Sequence, residues 1–360
     1  MRRLGDTVAR LAAARSSDAK SGSDGRLRNV TFAGPNPGGL DALGYTPPTP
    51  AGGALVVVLH GCTQTAAAYD HGSGWSRHAV ESGFSVLYPQ QRRTNNPGLC
   101  FNWFSPDDTA RGRGEAASIA EMIAAMVREH DLDPARVFIT GLSAGGAMSA
   151  VLLATYPELF AGGAIIAGLP YGAAASMPEA FEAMRGQGAA PGAERVRRAA
   201  PAPGRWPRIT VVHGAADRTV DVANAERLLT QWLGVHGLSA SPDSDRVLGR
   251  RRHRTWLDGS GEVLVEDFRI EGMGHGTPLD VRSDPFGAPG PFMLDVGFAS
   301  TAGLIAAWGL GDVDRVTLPH RETSRPVQRV TEVVDTPALS ATGGIQAVIE
   351  NALRRAGLMP

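Results

Sequence analysis

The sequence predicts an α/β fold: a mostly parallel central sheet with helices on both faces and a lid-like insertion. Three observations carry that prediction. Apolar runs at residues 54–60, 84–88 and 136–140 lack polar alternation, which suits strands covered on both faces. Other segments show helical spacing, as with Ile119, Met122, Ile123 and Met126 within residues 115–129. Strands and helices then alternate along most of the chain, which favours parallel pairing.

The elements can be justified in order. Residues 27–32 and 40–45 read as two strands around the turn Gly34-Pro35-Asn36-Pro37-Gly38. The run at 54–60 ends on His60. Asp131-Leu132-Asp133-Pro134 stops the helix at 115–129, since proline lacks the N–H that a helix needs. A buried strand at 136–140 follows, then a helix of small residues at 144–156. Strands at 163–167 and 209–213, a helix at 222–235, and strands near 253–257 and 263–270 complete the series. Residues 170–207 break the rhythm. They are rich in Ala, Gly and Pro, with one helix expected at 178–184. An insertion this long between buried strands serves as a lid over the substrate or as a cover for the sheet edge.

Composition removes several function classes. The 360 residues are 43% hydrophobic and carry 35 basic against 36 acidic side chains, a net charge of −1. A general electrostatic grip on nucleic acid is therefore not expected. Lys20 is the only lysine, which excludes Schiff-base chemistry in the core and a Walker-type phosphate loop. No apolar run reaches the roughly 20 residues needed to span a bilayer. Cys62 and Cys100 are too few for a four-thiolate zinc site but can form one disulfide.

The strongest chemical signal is Gly141-Leu142-Ser143-Ala144-Gly145, a G-x-S-x-G pattern between a strand and a helix. Such a turn pushes the serine hydroxyl above the sheet, and the helix N-terminus offers N–H groups to a developing oxyanion. Ser143 is the expected nucleophile. In the chain order serine, acid, histidine, the base lies after Ser143. His236 closes a helix as a charge partner for its C-terminus, His253 lies in a basic run, and His320 lies in a weakly patterned tail. His275 remains, in Gly272-Met273-Gly274-His275-Gly276, where glycines permit a loop that folds back over the sheet. The strand ending His213-Gly214 carries Asp217 to the sheet edge as the acid. Asp221, a helix N-cap by pattern, is its rival. His60-Gly61-Cys62 follows the first buried strand, so the N–H of Cys62 is expected to join that of Ala144 in an oxyanion hole. His60 itself is read as bracing the loop.

These residues make the chain recognisable. His60-Gly61-Cys62-Thr63-Gln64, Tyr88-Pro89-Gln90-Gln91, Cys100-Phe101-Asn102-Trp103-Phe104, Gly141-Leu142-Ser143-Ala144-Gly145-Gly146-Ala147-Met148, His213-Gly214 and Gly274-His275-Gly276 closely resemble the polyhydroxybutyrate-depolymerase-type esterases. The resemblance spans residues 27–310. It implies an α/β-hydrolase fold, no cofactor or metal, and a serine-esterase triad of Ser143, Asp217 and His275 with Cys62 and Ala144 as oxyanion donors. It places Trp103, Thr63 and Gln64 at the substrate. Trp103 is expected to line the cleft, and Phe104 to be an ordinary core aromatic. Both cysteines lie in motifs that meet at one active site, so a Cys62–Cys100 disulfide is expected.

The substrate implied is a short-chain aliphatic ester, of the poly- or oligo-3-hydroxybutyrate type. Feruloyl and acetylxylan esterases share the family, which makes a carbohydrate ester the alternative. A non-catalytic binding module is the third reading. The expected organisation is a helix and linker at 1–26, the catalytic domain at 27–310, and an extension with a terminal helix at 311–360. Asp6 and Arg10 interrupt the apolar stretch near the N-terminus, so no secretory signal is expected there. Family habit and a disulfide point outside the cell, whereas two free thiols would fit the cytoplasm.

Overall fold

A computed structural model of the chain describes residues 25–50, 53–201 and 203–311. The helices expected within 1–26 and within 311–360, and His320, lie outside these residues. Ten strands form one sheet: β1 (Arg28–Asn29), β2 (Asp41–Tyr45), β3 (Leu55–Leu59), β4 (Ser85–Gln90), β5 (Val137–Leu142), β6 (Gly162–Ile166), β7 (Arg208–Gly214), β8 (Ser244–Leu248), β9 (Arg251–Leu257) and β10 (Val263–Ile270). Their order is β1-β2-β4-β3-β5-β6-β7-β10-β9-β8. The run from β4 to β10 is parallel throughout. The two outer strands on each side pair antiparallel. Two further strands, β11 (Thr277–Leu279) and β12 (Met293–Asp295), form a small parallel pair of their own.

The central strands show why their sequences do not alternate. Leu55, Val57 and Leu59 of β3 face a core that contains Ile119, Met122, Val151 and Trp232. Val56 and Val58 face the opposite core, with Tyr69, Trp75, Phe84 and Trp308. Phe138 and Trp75 both stack on Trp308, at 4.9 and 5.9 Å between ring centroids. Trp308 follows the helix Ser300–Ala307, so this late segment closes the second layer. At roughly 25 cal/mol per Å2 of buried apolar surface, filling both faces is the main force that holds the helix layers on the sheet.

The insertion between β6 and β7 carries two helices, Met177–Met184 and Ala193–Arg197. It is fastened to the helix Ala223–His236 and the loop before it. Met184 O accepts the Asp221 N–H at 2.7 Å, Ala183 O accepts from Asn224 Nδ2 at 2.8 Å, and Gln187 O accepts from Arg227 at 2.8 Å. Gln231 holds the other end, donating to Tyr171 O at 3.0 Å and Pro191 O at 3.1 Å. No helix among the described residues is long and apolar enough to cross a membrane.

Candidate active site

The C-terminal ends of β3, β4, β5, β7 and β10 point the same way because these strands are parallel, and the loops that leave them converge. Ser143 sits between β5 and the helix Ala144–Thr155 with φ 58° and ψ −119°. For a residue with a Cβ this is strained backbone, costing about 1–3 kcal/mol. Neighbouring hydrogen bonds hold it there: Ser143 N–H to Ile166 O at 2.9 Å, and Ala147 N–H to Ser143 O at 2.8 Å. The flanking glycines are a packing requirement. A Cβ on Gly141 would lie 2.4 Å from Gly145 O, and one on Gly145 would lie 2.3 Å from Leu59 O.

The loops after β7 and β10 touch at Gly214, where a Cβ would lie 2.3 Å from Met273 O. Ala216 N–H donates to that same carbonyl at 2.9 Å. This contact brings Asp217 to His275, whose Nδ1 lies 2.7 Å from Asp217 Oδ2. The other carboxylate oxygen accepts the N–H groups of Thr219 and Val220 at 2.8 and 2.9 Å. Both side chains are buried. Burial alone would raise the Asp217 carboxyl. The His275 charge and hydrogen bonds from His213 and His275 outweigh it and hold the group below the usual carboxylate range. Since Asp217 takes Nδ1, Nε2 is the His275 nitrogen left for a substrate or serine proton. Ser143 and His275 line one small cavity together with Gly61, Cys62 and Gln64.

The loop after β3 is tied at each residue. Buried His60 gives Nδ1 to Gly61 O at 2.9 Å and receives the Gln91 N–H on Nε2 at 3.2 Å. Burial pushes its pKa down to about 4, although the bond to Gly61 pulls the other way. The ring is therefore a neutral brace. Gln64 Oε1 accepts the Gly61 N–H at 2.8 Å, so this residue shapes the loop as well as lining the cavity. Thr63 adopts φ 66°, sends its N–H to Gly98 O at 2.7 Å and lies outside the lining. Cys62 is joined to Cys100 by a disulfide, with Cα atoms 4.2 Å apart. Among the described residues, the N–H groups of Cys62 and Ala144 donate to no protein acceptor.

Reducing this bond, or replacing Cys100 by Ser, should destabilise the fold by about 4 kcal/mol, the loop-closure entropy for its span. Urea unfolding with and without a thiol reductant checks this, and coincident curves would refute it. Turnover should fall in parallel, because Cys62 loses one of its restraints.

A second cleft, larger than the small cavity shared by Ser143 and His275, opens beside Ser143. Trp103 and Phe104 form one wall and Met177, Ala180, Phe181 and Met184 of the insertion helix another. Phe104, expected in the core, packs against the core and also lines the cleft, meeting Trp103 edge to face at 5.7 Å.

The remaining candidates fall elsewhere. Asp221 Oδ1 accepts the Ala223 N–H at 2.9 Å, a local turn at a helix start. His236 is not a charged cap: burial lowers its pKa to about 4, with Arg205 adding to the effect, and Nε2 faces Pro207 O at 3.1 Å. His253 pairs with Glu266 at 2.7 Å and stacks on Phe268. His213 is a functional neighbour that sequence reasoning passed over. Its fully buried Nε2 lies 2.9 Å from Val220 O and 3.4 Å from Asp217 Oδ2, closing the acid's loop from beneath. The signal was a histidine ending a strand four residues before the acid.

Strand order, strand–serine–helix turn and late histidine loop are those of an α/β-hydrolase, and the chain is a carboxylic ester hydrolase. Residues 42–255 match the family described as "Esterase PHB depolymerase". The chain is 43% identical over 293 residues to poly(3-hydroxyalkanoate) depolymerase C of Paucimonas lemoignei, covering 76% of this chain and 68% of that one. It is 34% identical over 266 residues to an acetylxylan esterase of Coprinopsis cinerea, covering 71% and 70%. Among solved structures, an acetyl xylan esterase from Aspergillus awamori superposes with a TM-score of 0.66 at 25% identity, covering 79% and 99%. The chain belongs to the PHB depolymerase esterase family.

Proposed function

We propose that this enzyme cleaves poly- or oligo-3-hydroxyalkanoate esters of the 3-hydroxybutyrate type through an acyl-enzyme on Ser143, with residues 27–310 as the catalytic domain. His275 Nε2 takes the Ser143 proton as the hydroxyl oxygen attacks the ester carbonyl. Asp217 holds the ring with Nδ1 protonated and stabilises the imidazolium. The N–H groups of Cys62 and Ala144 receive the oxyanion. His275 returns the proton to the leaving alkoxide, then activates water to release the acyl group.

The observation that carries the substrate reading is the cleft. Its walls are two aromatic rings and the thioether and phenyl groups of Met177, Phe181 and Met184, with Asn96 and Thr219 as the polar side chains besides Ser143. An aliphatic ester chain fits such walls. A sugar ring would leave hydroxyls facing apolar carbon, at a cost for each unpaired group. The depolymerase from Paucimonas lemoignei supports the same choice. The disulfide supports work outside the cytoplasm.

Release of 3-hydroxybutyrate from its oligomers should exceed acetate release from acetylated xylan by at least tenfold in kcat/KM. The reverse ranking would make the carbohydrate ester the substrate. Trp103→Ala should raise KM for the oligomers about tenfold, since an aromatic wall contributes on the order of 1–2 kcal/mol. KM for p-nitrophenyl acetate should change little. Equal rises for both esters, with a lower melting temperature, would mean that Trp103 only packs.

A further inference from the structure

We propose that Glu115 is a positioning residue for the oxyanion hole, holding the two residues that flank Cys62 through Gln91 and Asn102. The inference rests on the Cys62 N–H acting as an oxyanion donor.

Glu115 lies in the first turn of the helix Gly114–Glu129 and is 1% exposed. A glutamate at this position usually meets water and the helix dipole. Here its two oxygens face away to the loop at residues 91–102. Oε1 accepts from Gln91 Nε2 at 2.5 Å and from Asn102 Nδ2 at 2.8 Å, and Oε2 accepts the Asn102 N–H at 2.8 Å. Among the described residues it has no ion-pair partner. Burial raises its carboxyl to about 8, against the pull of these three donors, and Asp108 is the other titratable group that acts on it. A buried carboxyl without a cation costs stability, so its place calls for a role beyond packing.

Two arms leave it. Gln91 donates its backbone N–H to His60 Nε2 at 3.2 Å and its side-chain N–H to Cys100 O at 3.0 Å. His60 in turn holds Gly61 O at 2.9 Å. On the other arm, Asn102 Oδ1 accepts from Asn96 Nδ2 at 2.9 Å, and Asn96 Oδ1 accepts the Gly98 N–H at 2.9 Å. Gly98 O accepts the Thr63 N–H at 2.7 Å. The arms therefore end on Gly61 and Thr63, one on each side of Cys62, while the disulfide holds Cys62 itself. With two oxygens and no N–H at its tip, the Glu115 carboxyl can receive all three N–H groups, and when ionised it only accepts. In Glu115→Gln one oxygen becomes an NH2 that faces a donor, and one arm loosens.

Charge reaches the oxyanion only in the transition state, so a loosened donor slows turnover more than it weakens binding. In the full chain, Glu115→Gln should lower kcat on p-nitrophenyl butyrate about 10- to 100-fold, below the full loss of one donor. KM should stay within about twofold, a split that interactions formed only in the transition state produce. Affinity for a trifluoromethyl ketone, whose adduct carries the oxyanion, should fall in step with kcat/KM. Active sites are counted by a serine-directed phosphonate. If turnover per labelled site stays at the wild-type value and only the melting temperature falls, Glu115 merely packs and the proposal is overturned. If Glu115→Gln does not fold, Gln91→Leu keeps the carboxyl and cuts one arm. It should show the same fall in kcat at constant KM, and wild-type kcat there would also overturn the proposal. Ser143→Ala separates the two levels. A tenth or more of wild-type turnover in that variant undermines the site itself, whereas its fall by orders of magnitude beside normal Glu115→Gln turnover removes this inference alone.

Discussion

Ser143→Ala should reduce ester turnover by about four to six orders of magnitude, because nucleophile, base and acid act as a unit. The fold should survive. Alanine keeps the Cβ, so the strained φ of 58° is neither relieved nor worsened. The backbone bonds that hold the turn, to Ile166 O and from Ala147, do not involve the hydroxyl. The N–H groups of Cys62 and Ala144 also stay in place. Slow residual hydrolysis by water held near those donors is therefore expected, not complete inertness. The check is kcat on p-nitrophenyl butyrate beside the melting temperature. An alanine variant that retained a tenth of wild-type turnover at an unchanged melting temperature would remove Ser143 as nucleophile.

How much of this was legible in the sequence depends on the physical source of each signal. β3 and β5 were readable because both their faces are buried, which writes an unbroken apolar run into the chain. The serine turn was readable because its glycines answer steric contacts of 2.3–2.4 Å that no other residue tolerates. The helices Ala66–Ser73 and Trp75–Ser82 went unpredicted. They are short and share Gly74 in a left-handed conformation, and the first shows little apolar period. β8, Ser-Asp-Arg-Val-Leu, is exposed along most of its length and exists through its pairing with β9, which leaves no local pattern. β11 and β12 are three residues each and depend on a contact between distant loops. Glu115 was hidden for the same reason. A glutamate in a first turn reads as solvated, and only the arrival of the 91–102 loop buries it. The cleft-facing side of Phe104 was not legible because an aromatic lining a cleft and one filling a core look alike in sequence.

Asp217→Asn should lower kcat by about four orders of magnitude while KM changes little, and the reason lies in what each oxygen holds. Oδ1 serves two fixed backbone N–H groups, from Thr219 and Val220. Oδ2 serves His275 Nδ1. An asparagine has one oxygen, and the two backbone donors cannot rotate away from it. Its NH2 group is then turned to His275, where it donates to Nδ1. The proton of the neutral ring moves to Nε2, the nitrogen that must be bare to accept from Ser143. The variant thus keeps its packing and loses the correct tautomer. Glu or Ala at this position would change the volume or the hydrogen bonds and confuse the two effects. Stability gives a second, signed readout. The carboxyl of Asp217 is held below its ordinary value, so its contribution is present above the unfolded value of about 4 and is lost as pH falls. Wild type should therefore unfold at higher urea than Asp217→Asn at pH 7, and the gap should narrow as the pH is lowered below about 4. If kcat of the variant stayed within tenfold of wild type, the acid would lie elsewhere. If the urea gap instead widened in acid, the carboxylate would not be the ionised partner of His275.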